Sequence, residues 1–174
     1  MLSKQCVLGS TRATGPDVMT PATPALEYVF TIEARIARPL SGGRSAAGER
    51  LHIPILAGTV TGPRLNGTIL PGGSDWPLIR PDGTSEIEAT YTVVADDGTP
   101  ILAKNSGLRV SAPEVLARLR ACEPVRPEEY YFRSAPRFDA PDGPHAWLRD
   151  RIFVASLAPD PAAGRITIDV YAVS

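Results

Sequence analysis

Residues 62–105 have the sequence GPRLNGTILPGGSDWPLIRPDGTSEIEATYTVVADDGTPILAKN, and they contain the clearest strand pair of the chain. From residue 86 to residue 93, polar and apolar side chains alternate strictly, which is the two-residue period of a half-buried strand. The Asp97-Gly98 pair that follows favours the positive φ of a hairpin turn. Residues 101–108 then supply a returning strand. An antiparallel hairpin is therefore the predicted centre of the fold.

Two loops precede this hairpin. Residues 71–76, PGGSDW, have a permissive backbone, and residues 80–83, RPDG, form a turn with proline at its first central position. The whole stretch carries Asn66, Asp75, Trp76, Arg80, Asp82, Glu88, Tyr91 and Asn105. A tryptophan and an arginine thus lie near several carboxylates, between strands that should close a sheet. Such a combination is expected at the mouth of a pocket.

Short strands separated by turns flank the hairpin on both sides. We predict further strands over residues 26–36, 51–61, 65–70, 76–79, 130–138, 151–157 and 165–173. Residues 41–45 are predicted to be a flexible loop. The fold class that follows is all-β: a single antiparallel β-barrel of about eight to nine strands with one short helix.

The predicted helix begins after Ser111, which has the residue type of an N-cap. Pro113 falls in the first turn, and Glu114 would close a capping box. Glu123-Pro124 should end the helix after about three turns.

Composition favours one domain. The chain has 174 residues, of which 43% are hydrophobic, and its 18 prolines and 15 glycines suit many short strands joined by turns. We expect residues 25–174 to form the barrel domain. Residues 1–24, which have no periodic pattern, should form an arm that is either disordered or packed across the domain or a neighbouring subunit.

Several classes of function are disfavoured. The net charge of −1 gives no electrostatic footprint for nucleic acid or an anionic membrane, and no secretory or membrane segment is visible, so a cytoplasmic location is expected. Cys6 and Cys122 have no metal-site spacing and are expected to be reduced thiols. With His52 and His145 as the only histidines and no nucleotide-binding motif, we expect neither metal nor cofactor, although His52 with carboxylates stays an alternative.

Four segments together resemble a known family. They are GTVTGPRLNGTILPGGSDWPLIRPDGTSEIEATYTV (58–93), YYFRSAPRFDAP (130–141), AWLRDRIFVA (146–155) and IDVYAV (168–173). The chain is similar from about Tyr28 onwards to the bacterial and fungal family called domain of unknown function 3237. The resemblance implies a small antiparallel β-barrel with a central cavity, often assembled into oligomers, and it implies no agreed activity.

The resemblance also marks individual positions. Those that match the polar motifs of the family are Asn66, Gly67, Asp75, Trp76, Arg80, Asp82, Glu88, Tyr91, Asn105, Arg133 and Trp147. Residues 155–159, ASLAP, depart from the pattern, where a glycine and a charged residue are expected. If this strand lines the cavity, the departure implies a more apolar pocket and a different ligand.

Each candidate residue has a catalytic and a structural interpretation. Asp75 is either an acid/base whose pKa is raised beside Trp76, or a loop aspartate that bonds its own backbone. Glu88 is either buried with an arginine partner, or solvated on the face that it shares with Glu86. Arg133 either clamps a carboxylate ligand or forms a structural salt bridge.

Our first hypothesis is a cofactor-independent enzyme that performs proton transfer, as an isomerase, cyclase or hydro-lyase, on a partly apolar carbonyl or aromatic metabolite. Its candidate catalytic residues are Asp75, Glu88 and Tyr91, and its candidate substrate-binding residues are Asn66, Trp76, Arg80, Asn105, Tyr130, Arg133 and Trp147. The alternatives are a non-catalytic barrel that binds a hydrophobic small molecule and a structural oligomer whose interior is filled.

Overall fold

The computed structural model describes residues 21–174. The arm predicted over residues 1–24 therefore lies outside the described residues except for 21–24, which form no regular element. Within the described range, no helix has the length and apolar character needed to cross a membrane.

Eleven strands, one α-helix and two 3₁₀ turns make up the described chain. They are β1 (Leu26–Ile36), β2 (Leu40–Ser45), β3 (Gly48–Thr61), β4 (Gly67–Ile69), β5 (Gly73–Asp75), β6 (Leu78–Ile79), β7 (Ser85–Ala95), β8 (Pro100–Ser111), α1 (Pro113–Arg120), a 3₁₀ turn (Pro127–Glu129), β9 (Tyr130–Asp139), a second 3₁₀ turn (Ala146–Leu148), β10 (Phe153–Asp160) and β11 (Arg165–Val173).

The sheet closes into an antiparallel barrel with eight strand positions. Its order is β1, β11, β10, β9, β8, β7, then β4, β5 and β6, and then β3, which pairs with β1 and completes the circle. The three short strands β4, β5 and β6 share one position, because each of them pairs with both β3 and β7. Strand β2 lies outside the circle and pairs with the first part of β3. The prediction of a single antiparallel barrel with one short helix is confirmed.

The hairpin of β7 and β8 has the register that its turn dictates. Gly98 has a φ of +87°, a value that favours glycine, and pairing runs without interruption from Val94 opposite Pro100 to Ser85 opposite Arg109. The alternating burial of β7 places its odd-numbered residues, from Ser85 to Ala95, inside the barrel. Since paired residues point to the same face, the residues of β8 opposite these positions also point inwards.

The two ends of the barrel differ. At the end where β9 finishes and β10 begins, four aromatic side chains form an edge-to-face cluster, which we call the aromatic plug: Phe30, Phe138, Trp147 and Phe153. Adjacent ring centroids are 5.2–5.7 Å apart, a spacing typical of favourable aromatic pairs. The opposite end, where β7 begins and β8 finishes, contains an open cavity.

The helix and some strand boundaries differ from the predictions. The N-cap of α1 is Ala112 and makes no side-chain hydrogen bond, so the predicted Ser111 cap and the Glu114 capping box are wrong. Ser111 is instead the last residue of β8, and the eight-residue helix is about two turns long rather than three. The predicted flexible loop over residues 41–45 is wrong as well, because these residues lie in β2.

Candidate functional site

A cavity of about 830 Å³ occupies the open end of the barrel. Its wall is mainly aliphatic, with side chains from most of the strands: Ile36, Ile53, Ile55, Ile79, Ile87, Leu157, Ile166 and Ile168. Leu116 and Leu119 of α1 cover part of the mouth. The volume and the apolar wall are typical of a site for a small organic molecule.

A short row of residues brings polar groups into this wall. Asp75 on β5 pairs with Ala89 on β7, and Ala89 pairs in turn with Asn105 on β8. All three line the cavity. Because residues that are paired across neighbouring strands point to the same face of the sheet, the side chains of Asp75 and Asn105 flank the small side chain of Ala89 on the cavity side.

Asp75 is a half-buried carboxyl in a mainly apolar surrounding. Burial raises the pKa of Asp75 from its ordinary value of 3.8 to about 6. The backbone N–H of Glu88 donates a hydrogen bond to its Oδ1 at 3.0 Å, and this bond favours the ionised form without cancelling the effect of burial. Asp75 therefore changes its charge at about pH 6.

Tyr91 and Asn105 supply neutral polar groups beside this carboxyl. The Tyr91 hydroxyl and Asn105 Oδ1 are buried, and neither has a hydrogen-bond partner within residues 21–174. Burial, together with the charge of Asp75, raises the pKa of Tyr91, so its hydroxyl keeps its proton and remains a donor. Unpaired buried polar groups are costly, and they are often found where a ligand or water binds.

Arg109 is a cavity residue that the sequence analysis missed. Its Nη2 donates a hydrogen bond to Ser85 Oγ at 2.9 Å, its Nε has no partner within residues 21–174, and its Cζ lies 5.9 Å from the centroid of the Phe132 ring. Burial and the nearby charge of Arg120 lower the pKa of Arg109. The signal that could have found it is the hairpin register, because counting from the turn puts Arg109 opposite Ser85, on the inward face.

Glu88, Arg80 and Asn66 lie outside the cavity. The Glu88 side chain is exposed on the outer face of β7, so only its backbone contributes to the site. Arg80 forms an ion pair with Glu86 at the surface. The side-chain amide of Asn66 both accepts a hydrogen bond from the backbone N–H of Gly62 and donates one to its carbonyl oxygen, each at 3.1 Å, and so fixes a loop.

The other predicted substrate-binding residues are also away from the cavity wall. Trp76 is 47% exposed and stacks on His52 at a centroid distance of 4.3 Å on the outside of the barrel. Trp147 belongs to the aromatic plug, with the Arg64 guanidinium 4.2 Å above its ring. Arg133 is exposed and lies over Tyr131.

Tyr130, the last of these predicted residues, is half-buried at the start of β9 opposite Ser111. Of the ten predicted site residues, the structure thus brings Asp75, Tyr91 and Asn105 together in one cavity. No group of three His, Cys, Asp or Glu side chains that could hold a metal ion occurs in the described part of the chain.

Comparison with known proteins places the chain among uncharacterised relatives. The family model described as Protein of unknown function (DUF3237) matches residues 24–173. A UPF0311 protein of Rhodopseudomonas palustris is 43% identical over 153 residues, which cover 87% of this chain and 99% of the relative. The crystal structure of a conserved protein of unknown function from this organism is 42% identical, with a TM-score of 0.82 over 90% of this chain and 100% of that one.

Two more distant structures share the fold. A beta-barrel like protein of Acinetobacter baumannii is 29% identical, with a TM-score of 0.76 over 89% of this chain and 99% of that one. An enzyme of Penicillium herquei is 19% identical, with a TM-score of 0.67 over 90% of this chain and 98% of that one. The similarity to the Penicillium protein concerns the fold alone.

Proposed function

This chain belongs to the DUF3237 family of proteins of unknown function, and from its cavity we propose that it is a cofactor-independent enzyme that transfers protons within a small, partly apolar carbonyl compound. Isomerisation, cyclisation and hydration or dehydration all fall into this class. The observation that carries the proposal is the Asp75 carboxyl, which is held in a mainly apolar cavity and has a pKa of about 6.

The pKa is suited to proton transfer in both directions. A group whose pKa lies near the operating pH is present in part as base and in part as acid, which is where general acid–base catalysis is most efficient. In the proposed reaction, the Asp75 carboxylate removes a proton from the substrate and its protonated form returns it to another atom. Asp75 thereby ends each cycle in its starting state.

Tyr91 and Asn105 have complementary roles in this proposal. When a proton leaves a carbon next to a carbonyl group, negative charge develops on the carbonyl oxygen. The Tyr91 hydroxyl, which keeps its proton, can donate a hydrogen bond to that oxygen after a small adjustment of its buried position. The amide of Asn105, across Ala89 from Asp75, orients the substrate between the two groups.

The experiment is proton exchange in D₂O. The protein is incubated with a panel of small cyclic and aryl ketones, and exchange of the protons next to the carbonyl is followed by NMR. We expect Asp75→Asn to slow exchange by about 100-fold or more. Asp96→Asn, at an exposed position on the hairpin turn, is the matched control and should leave the rate unchanged.

Two results would contradict this proposal. If the ketones bind but Asp75→Asn exchanges as fast as the wild type, the cavity is not the place of proton transfer. If Glu88→Gln abolishes exchange and Asp75→Asn does not, the chemistry belongs to the outer face of β7.

A second candidate, a barrel that binds a hydrophobic small molecule without catalysis, is favoured by the predominantly aliphatic wall and by the absence of Glu88 from the cavity. In that case, ligands bind to wild type and Asp75→Asn alike, and neither protein accelerates proton exchange.

A further inference from the structure

The charges of the cavity are unbalanced. Within the described part of the chain, four arginines and two carboxylates line it: Arg38, Arg109, Arg120, Arg165, Glu49 and Asp75. The whole protein has a net charge of −1, so the excess of positive charge is local to this cavity. A cleft with an excess of one sign of charge attracts ligands of the opposite sign.

Two of these arginines have carboxylate partners at the surface. Arg120 Nη2 lies 3.2 Å from Glu49 Oε2, and Arg165 Nη2 lies 3.3 Å from Asp160 Oδ2. Arg109 is different, because it forms no ion pair within 4.0 Å among residues 21–174, and its Nη2 donates to the neutral Ser85 hydroxyl. Among the described residues it is the half-buried arginine of the cavity wall that lacks a partner of opposite charge, whereas Arg38, which also forms no ion pair there, is exposed.

Asp75 is not the ion-pair partner of Arg109. The charges of Asp75 and Arg109 are close enough to influence each other's pKa, yet the two side chains form no ion pair in the described structure. A cation that is largely removed from solvent and remains unpaired is costly, and an arginine with a purely structural role would be expected to pair with the available carboxylate. The repulsion between Arg109 and Arg120 adds to this cost.

We propose that the substrate of this cavity is an organic carboxylate whose anionic group is bound by the guanidinium of Arg109 and whose apolar body lies against the aliphatic wall. The inference rests on the proposed function, because it names the substrate class of the same cavity. The planar guanidinium matches a carboxylate, with which it can form paired, charge-assisted hydrogen bonds. Phe132, whose ring lies beside Arg109, offers an apolar surface next to the anionic group.

This arrangement separates binding from chemistry. Arg109 is opposite Ser85, whereas Asp75 and Asn105 lie in the row of Ala89, four residues further along β7 and about 13 Å deeper at the backbone. A carboxylate held at Arg109 therefore directs the rest of the molecule towards Asp75. Arg109 is accordingly a substrate-binding residue that determines specificity.

The test uses a neutral fluorescent probe and a matched pair of competitors. N-phenyl-1-naphthylamine reports occupancy of the apolar cavity. It is then displaced with 2-naphthoate or with 2-naphthamide, which differ in the charge of one small group. We expect 2-naphthoate to compete at least about tenfold better than 2-naphthamide in the wild type, as for a charge-assisted contact.

Variants assign this preference to one side chain. Arg109→Gln should remove the preference for 2-naphthoate and leave the affinity for the probe and for 2-naphthamide unchanged, whereas Arg109→Lys should retain part of it. Arg133→Gln removes an exposed arginine from the outer face of the barrel and should change nothing. Thermal melts of all variants show whether each is folded.

The outcomes distinguish this inference from the proposed function. If the probe binds and both competitors displace it equally well, or if Arg109→Gln keeps the preference, the carboxylate assignment is overturned and the proton-transfer proposal stands. If the probe and both competitors fail to bind, the cavity is no ligand site and both proposals fall. Asp75→Asn should retain the preference for 2-naphthoate even where it abolishes proton exchange.

Discussion

At the scale of single residues, Asp75 links the proposed chemistry to stability. The pKa of its carboxyl is about 6 in the folded protein and 3.8 in the absence of burial. Between these two values the folded protein binds a proton that the unfolded chain does not. The free energy of unfolding therefore falls as the pH rises from about 4 to about 6. Above about pH 6 the folded protein bears the full cost of the ionised, partly buried Asp75 carboxylate.

Replacing Asp75 with asparagine should remove that penalty. A difference of roughly two pKa units corresponds to at most about 3 kcal/mol. We therefore expect Asp75→Asn to be more stable than the wild type by up to this amount at about pH 7.5, and to differ little at about pH 4. Urea denaturation at both pH values measures the free energy of unfolding.

Asp82→Asn is the matched control for this experiment. Asp82 is exposed, and a hydrogen bond from the backbone N–H of Thr84 lowers its pKa, so its substitution should bring no gain at neutral pH. An Asp75→Asn protein that is equally stable or less stable at about pH 7.5 would show that the cavity does not penalise the carboxylate.

Arg109 shows where the sequence could mislead at this scale. On β8 its neighbours Leu108 and Val110 are 40% and 45% exposed, so the apolar residues face solvent and the charged residue faces the cavity. Residue polarity alone would place Leu108 and Val110 inside the barrel and Arg109 in solvent. Asp75, Tyr91 and Asn105 could be proposed because they lie in motifs or in an alternating strand, whereas Arg109 is found only by counting the register from the turn.

At the scale of secondary structure elements, α1 lacks a side-chain cap. Ala112 has φ and ψ values of −61° and 152°, the extended conformation of an N-cap residue, but it has no side chain that accepts a hydrogen bond from the first turn. We expect Ala112→Ser to stabilise the protein by about 1 kcal/mol, measured as a higher midpoint of urea unfolding.

The same chemical change within the helix is the control. Ala117 is an exposed interior residue of α1, and serine is a poorer helix former than alanine, so Ala117→Ser should lower the unfolding midpoint slightly. Equal effects of the two substitutions would contradict the placement of the cap at Ala112.

Strands were predicted correctly where one face is buried and the other is exposed. The prediction failed where the two faces do not differ in burial. The alternating burial of β7 and β9 follows their sequence pattern. Strand β2 has exposed residues throughout, so its sequence, LSGGRS, contains no alternation that could mark it. Strand β5 (Gly73–Asp75), where a loop was predicted, depends on pairing with β3 and β7, and a local pattern cannot predict such pairing. Strand β6 (Leu78–Ile79), in contrast, lies within the strand predicted over residues 76–79.

At the scale of the whole molecule, the barrel combines a filled end with an open one. The number of strands predicts closure, since a sheet of this size tends to close and remove its edges. The sequence does not reveal which end is filled, because that depends on where Phe30, Phe138 and Phe153 meet after β1, β9 and β10 have come together. In the structure, the aromatic plug stabilises the fold, and the cavity at the other end is available for a ligand.

This division can be tested with one substitution at each end. Phe153 is 1% exposed within the aromatic plug, so Phe153→Ala should lower the free energy of unfolding by about 3–5 kcal/mol and leave the affinity for N-phenyl-1-naphthylamine unchanged. Ala89 lies on the cavity wall between Asp75 and Asn105, so the larger side chain of Ala89→Leu should block the probe with little loss of stability. Urea denaturation and probe titration of both variants measure the two effects. Loss of probe binding in Phe153→Ala under conditions where it is folded would mean that the two ends are coupled.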